Sequence, residues 1–297
     1  MITVPEIVQE KARVEGVAWW IDAAPRVVED LAAAWQLEVG PVLTGGTESL
    51  VAEVVLSDGR DAVLKVLIPR QDFASAEALA LQRADGRGAA RLFAYDEEHG
   101  ALLLERLGPP LDRAGLPAAA RHEILARAAQ AFWRPIEPGL LRDGTEQATW
   151  LADCIERMWV DLGRPCSRAA IDHALSCAER RAAAHDDERA VLVHGDVHQW
   201  NTLRRGDEWV LIDPDGLFMA PAYDLGIIMR EDPEEQLSGD PRDRSRRLAA
   251  LTGVDETAVW EWGVVERVAT GLTARSIDLE PVATTMLAVA DRLAARR

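Results

Sequence analysis

The segment VLVHGDVHQWNTLRRGDEWVLIDPDG, residues 191–216, concentrates the residue types that move a phosphoryl group. His194-Gly195-Asp196 comes first, Asn201 follows five residues after Asp196, and Asp213 comes after a hairpin. Transfer of a phosphoryl group to a hydroxyl needs these parts in this order. A carboxylate accepts the proton of the attacking hydroxyl, and an amide oxygen and a second carboxylate hold magnesium on the nucleotide phosphates. Five residues let a loop present Asp196 to an acceptor and return Asn201 to the metal, and the hairpin brings Asp213 beside Asn201. A competing reading takes His194 and His198 as alternating metal ligands. That reading explains neither the Asn201 and Asp213 pair nor the lysine described next. On the phosphoryl-transfer reading His194 packs behind the loop, His198 orients it, and Trp200 packs, with a face beside the acceptor left open.

A second constellation lies far upstream. Lys65 sits in the apolar run VLKVLI, residues 63–68, where burying a cation without a partner is costly. Glu77, on the following helical segment, supplies one anion and the α and β phosphates of a nucleotide supply another. Snorkelling of Lys65 from an edge strand is the alternative. The turn Thr44-Gly45-Gly46-Thr47-Glu48-Ser49 can cover phosphates with backbone N–H groups and the hydroxyls of Thr47 and Ser49, although it lacks a full G-x-G-x-x-G and, taken alone, reads first as an ordinary β-turn. Glu105 to Leu107, by position alone, would offer backbone groups to an adenine edge.

The elements that must position these residues follow from periodicity. Residues 5–37 read as helix with a break near Pro25. VGPVLTGG, SLVAEVVL and DAVLKVLI read as three antiparallel strands, QDFASAEALALQRA as a helix, and RLFAYDEEHGALLLER as two further strands. After Gly108-Pro109-Pro110 the pattern is helical near 117–134, 146–161, 167–184, 241–251, 255–271 and 280–296, interrupted by one strand pair, 202–204 with 209–212. The expected fold class is α+β and bilobal. Residues 1–107 form a nucleotide-binding N-lobe with a small antiparallel sheet and an N-terminal helical extension. Residues 108–297 form a larger, mainly helical C-lobe with the catalytic loop and substrate site. A cleft between the lobes is the expected ligand site.

With these motifs in view, the chain resembles the aminoglycoside phosphotransferases of the protein-kinase-like fold. It is most similar to the aminoglycoside and hydroxyurea resistance kinases that include the streptomycin phosphotransferases. The H-x-D-x-H-x-x-N loop of that family is present as His194, Asp196, His198 and Asn201, its I-D-P element as Ile212-Asp213-Pro214, and its later D-L element as Asp224-Leu225. The resemblance implies Asp196 as base and acceptor-contacting residue, Asn201 and Asp213 as metal ligands, Asp224 as a brace for the loop, and LSDGRDAVLKV and ALLLERL as nucleotide-lysine strand and hinge. It implies ATP, with GTP left open, and Mg2+ as cofactors, and transfer to an aminoglycoside hydroxyl that confers resistance. Kinases of hydroxyurea, an amino sugar or a choline-like alcohol, and a non-catalytic nucleotide-binding module, are the alternatives. Two departures are visible: where streptomycin kinases carry a tryptophan and acidic cluster late in the helical lobe, this chain reads GLTARSIDLEP, and after Asp213 it reads Pro214-Asp215-Gly216, with Asp215 in place of a glutamate near the metal and no role assigned to it.

Acceptor choice must come from the helical lobe. A guanidinium-bearing acceptor is best held by carboxylates through paired, charge-assisted hydrogen bonds, and Glu231 and Asp232 are the first candidates because they follow the catalytic hairpin closely. A solvated acidic turn ahead of Pro233 is the alternative. The chain carries 33 basic and 50 acidic residues, a net charge of −17, which repels nucleic acid and would draw in a cationic small molecule, although on composition alone acidic charge that merely keeps the protein soluble is the favoured alternative. No apolar stretch approaches the roughly 18 residues of a membrane span, and the N-terminal residues lack a secretory pattern, so a cytoplasmic protein is expected. Cys154, Cys166 and Cys177 form no C-x-x-C pair and read as buried small hydrophobes. Nothing in the sequence speaks to the oligomeric state.

Overall fold

Along the strand Asp61–Leu67, Ala62, Leu64 and Val66 point to one face and are fully buried, while Lys65 points to the other. That alternation requires a cover on both sides of the sheet. The computed structural model describes residues 2–70 and 73–295 and divides them into two compact units, Met1–Gly108 and Pro109–Arg297.

In the first unit, helices α1 (Glu6–Val14) and α2 (Trp20–Trp35) precede strands β1 (Glu38–Val42), β2 (Ser49–Val55) and β3 (Asp61–Leu67). Helix α3 (Phe73–Ala84) and strands β4 (Leu92–Asp96) and β5 (Ala101–Glu105) follow. The five strands form one antiparallel sheet in the order β1-β2-β3-β5-β4. Val8, Ala12, Trp20, Ala24, Val28 and Leu31 pack with Leu50, Val54, Leu64 and Leu103, so the N-terminal helices cover one face. The helical break expected near Pro25 lies at Glu15–Trp19 instead. Gly16, at φ +76°, closes α1 through Gly16 N–H to Arg13 O (3.1 Å) and Val17 N–H to Ala12 O (2.9 Å), and Pro25 is carried inside α2. Of the expected QDFASAEALALQRA helix, Gln71 and Asp72 lie outside the described residues.

The second unit holds α4 (Ala118–Phe132), α5 (Gly144–Asp161), α6 (Arg168–Ala183), β6 (Val191–Val193), β7 (Thr202–Arg205), β8 (Glu208–Leu211) and β9 (Leu217–Met219). Then come α7 (Ala222–Arg230), a short 3-10 turn (Pro233–Leu237), α8 (Asp243–Thr252), α9 (Glu256–Ser276) and α10 (Val282–Ala294). Helix α9 is apolar nearly all round and is packed by α5, α6, α7, α8 and α10, which makes it the axis of this core. Two features escape the sequence patterns. The pair β6–β9 is only three residues long on each side, and α7 is buried from Ala222 through Met229 and so shows no polar face. Among the described residues no helix is long and apolar enough to cross a membrane.

Candidate functional site

The loop from His194 to Asn201 leaves β6 and enters the hairpin β7–β8. Its base is His194, fully buried, whose Nε2–H donates to Ile212 O (2.9 Å) and whose Nδ1 accepts the Asp196 N–H (3.2 Å). Both ring nitrogens are therefore spent within the protein, and burial pushes the imidazole down to about 4. His194 is a neutral strut across the loop, edge-on to Phe132 at 5.3 Å. Gly195 follows at φ +92°, and a Cβ there would lie 2.8 Å from the Cβ of Asp215. Gly195→Ala is thus expected to cost about 1–3 kcal/mol of stability, visible as a lowered thermal midpoint together with lost turnover. An unchanged midpoint would contradict this packing.

Asp224, near the start of α7, fastens the loop from behind. Its Oδ2 accepts the His194 N–H (3.0 Å) and the Trp133 Nε1–H (2.8 Å), and its Oδ1 accepts the Gly195 N–H (2.8 Å). Complete burial raises its pKa to about 6, against the pull of the three donors.

Asp196 sits at the open side of this frame, with 34% of its side chain exposed. Its Oδ1 accepts from Arg230 Nη2 (3.0 Å), and its Oδ2 accepts from His198 Nε2–H and Asn201 Nδ2–H, each at 3.0 Å. Enclosure by the loop disfavours the charge, but the adjacent His198 and Arg230 outweigh it and hold the carboxyl well below the usual range. His198 Nδ1 accepts the Asn201 N–H (3.2 Å), which orients the ring so that Nε2–H faces Asp196. Burial works against the His198 imidazolium, and the Asp196 carboxylate reverses that and raises its pKa.

Asn201 spends its amide Nδ2 on Asp196, which leaves Oδ1 as the acceptor end of the side chain. The Ile212 N–H donates to Asn201 O (2.9 Å), which sets the next residue, Asp213, close to Asn201 just beyond β8. Asp213 adopts φ +57°, an uncommon conformation for a residue with a side chain and one that accumulates at functional sites. An amide oxygen beside a carboxylate suits Mg2+, which takes one or two protein carboxylates and keeps its remaining positions for phosphate and water. Trp200, one residue before Asn201, is 57% exposed with its ring 5.6 Å from that of His198.

The two acidic candidates part company. Glu231 follows α7 directly and is only 7% exposed. Burial raises its pKa, opposed by the nearby His198 and Arg230, so it stands in the electrostatic neighbourhood of Asp196. No described hydrogen-bond donor is placed on its carboxylate. Asp232 instead turns at φ +45° toward α4, where Arg121 and His122 Nε2 (2.9 Å) take its carboxylate. Arg230 and Glu266 were not anticipated. Glu266 Oε2 accepts from Arg230 Nη1 (2.5 Å) across 36 residues of sequence, a separation at which spacing carries no signal.

In the first unit, Lys65 Nζ donates to both oxygens of Glu77, at 2.7 and 2.8 Å, and the two residues are 5% and 1% exposed. Lys65 stands in register between Val51 and Leu102, in the sheet interior rather than at an edge. Of the turn residues, Thr47 is exposed, whereas Ser49 is buried at the start of β2 opposite Leu67. Glu105 closes β5, with its N–H given to Arg91 O (2.9 Å), and Leu107 lies half-buried just beyond.

The chain matches the family model of the aminoglycoside/hydroxyurea antibiotic resistance kinases across residues 34–275. It is 30% identical over 283 residues to streptomycin 6-kinase of Streptomyces glaucescens, covering 92% of this chain and 90% of that protein. It is 34% identical over 238 residues to hydroxyurea phosphotransferase of Kitasatospora aureofaciens, covering 74% and 65% respectively. Among solved structures, a thermostable mutant of aminoglycoside phosphotransferase APH(4)-Ia in a ternary complex with ADP and hygromycin B superposes with a TM-score of 0.61 at 16% identity, covering 90% of this chain and 97% of that one. Choline kinase LicA from Streptococcus pneumoniae gives 0.61 at 14% identity, covering 93% and 100%. At these identities the structural matches establish the protein-kinase-like fold.

Proposed function

Since the chain belongs to the aminoglycoside/hydroxyurea antibiotic resistance kinases, phosphotransferases that act on hydroxyl groups, we propose that it moves the γ-phosphate of ATP to a hydroxyl of a streptomycin-type aminoglycoside and so confers resistance. The observation that carries this reading is the set of contacts around Asp196: a carboxylate kept ionised, one third exposed, and aimed by Arg230, His198 and Asn201. In that state Asp196 accepts the proton of an acceptor hydroxyl as the oxygen attacks phosphorus.

Asn201, through Oδ1, and Asp213 are the residues that would hold Mg2+, which when bound neutralises charge on the transferring phosphates. Lys65, oriented by Glu77, would hold the α and β phosphates. Thr47 and the buried Ser49 would line the phosphate turn, with Glu105 and Leu107 offering backbone to the base. His198 fixes the Asp196 carboxylate and is no metal ligand on this reading, because both its nitrogens are engaged.

For the acceptor, Glu231 is the carboxylate that would take a guanidinium or ammonium group. A buried anion with no hydrogen-bond donor is stabilised by an incoming cation. Asp232 is committed to Arg121 and His122 and would shape the turn rather than bind. This favours a cationic aminoglycoside over hydroxyurea, which carries no charge for Glu231 to meet. Glu231→Gln is expected to raise the acceptor KM about 10- to 100-fold, the worth of a charge-assisted hydrogen bond of about 1.5–3 kcal/mol, with the ATP KM unchanged. Equal KM values for acceptor in the two proteins would remove Glu231 from the site.

A coupled ADP-release assay over streptomycin, other aminoglycosides, hydroxyurea and choline tests the whole reading. ADP release with streptomycin is expected, and release with none of the aminoglycosides would overturn it.

A further inference from the structure

Helix α7 grips the catalytic loop twice. Near its start Asp224 holds the backbone at His194 and Gly195, and six residues on, about 9 Å along the axis, Arg230 holds the Asp196 carboxylate. The second grip is shared. Arg230 Nη2 goes to Asp196 Oδ1 (3.0 Å), while Nη1 goes to Glu266 Oε2 (2.5 Å) and Thr270 Oγ1 (2.8 Å) on α9. Glu266 is itself fixed, because its Oε1 accepts the Tyr223 hydroxyl (2.6 Å) and that hydroxyl accepts from Gln147 Nε2 (2.7 Å) on α5.

The distance between α7 and α9 is set by glycines. A Cβ on Gly226 would lie 2.9 Å from Gly263 N, and one on Gly263 would lie 2.9 Å from the Met229 Cβ. Only this close crossing lets an arginine one turn beyond Gly226 meet a glutamate one turn beyond Gly263. Arg230 thus has side-chain partners on both of its Nη groups, its side chain is 13% exposed, and it has little freedom to rotate.

We propose that Arg230 is a positioning residue for Asp196. Divided between Glu266 and Asp196, it fixes which lone pair of the carboxylate points at the acceptor. Glu266 prevents Arg230 from closing a two-pronged pair over both Asp196 oxygens, which would cover the base. The proposal rests on Asp196 being the proton acceptor, and the test separates the two ideas.

The test is a double-mutant cycle in kcat, with ATP and streptomycin saturating, over Arg230→Gln, Asp196→Asn and the double variant. Arg230→Gln is expected to lower kcat about 10- to 100-fold with the ATP KM within about twofold, the size of effect a misplaced reacting group produces. Added to Asp196→Asn it should lower kcat by less than about threefold more, and Arg230→Lys, which reaches one carboxylate at a time, should recover part of the loss. Should Arg230→Gln fail to fold, Glu266→Gln reads the same device, with an expected fall in kcat of about 3- to 10-fold and unchanged ATP affinity. Unchanged or increased kcat in Arg230→Gln or Glu266→Gln, or full additivity in the cycle, overturns the positioning role while leaving the base assignment intact. Wild-type kcat in Asp196→Asn overturns both.

Discussion

Asp196→Asn is expected to lower kcat about 10³–10⁴-fold, roughly 4–5.5 kcal/mol of transition-state stabilisation, while ADP and ATP bind as in the unaltered protein. The carboxylate stands at the convergence of three donors and is kept anionic by two of them, His198 and Arg230, and Asn keeps its shape while removing the lone-pair basicity on which proton transfer depends. The nucleotide should not register the change, because the base acts on the acceptor. Asp196→Ala serves as a second variant, since an amide at this position turns an N–H toward at least one donor. Turnover within tenfold of wild type in both variants would show that the proton goes elsewhere.

Asp213→Ala is expected to abolish the dependence of nucleotide binding on magnesium. The measurement is a titration of ATP by calorimetry with and without Mg2+. The unaltered protein should bind markedly tighter with the metal, whereas the variant should bind equally weakly in both conditions. Alanine at φ +57° also carries a conformational cost, so Asp213→Asn is the sharper comparison: asparagine tolerates the left-handed region and removes one unit of charge. Because an asparagine oxygen can itself hold Mg2+, a full magnesium effect in both Asp213→Asn and Asp213→Ala is the result that would leave no room for Asp213 as a ligand.

Much of the first unit was legible because its signals are local. Strand alternation is read within a few residues, and the observed sheet contains all five expected strands. The segment carrying His194, Asp196, Asn201 and Asp213 is legible for the same reason, since a loop and one hairpin link its parts. Pro25 misled, because a proline inside an amphipathic pattern reads as a break, yet packing of Trp20, Ala24, Val28 and Leu31 on the sheet holds α2 continuous through it. Helix α7 was missed because an element buried on all sides carries no helical period, and with it went Arg230. Its partner Glu266 lies on another apolar helix, and what joins them is a glycine-mediated crossing that exists only in three dimensions. Asp232 shows the opposite failure: it is adjacent to Glu231 in sequence, but a left-handed turn sends the two carboxylates to different neighbours.

The central claim is that Asp196 deprotonates a hydroxyl of a streptomycin-type acceptor while that oxygen receives the terminal phosphate of ATP. Mass spectrometry of streptomycin incubated with ATP, Mg2+ and the enzyme tests it directly. A singly phosphorylated drug should accumulate with the unaltered protein and be nearly absent with Asp196→Asn. Unmodified streptomycin in both reactions, or equal phosphorylation in both, would contradict the claim.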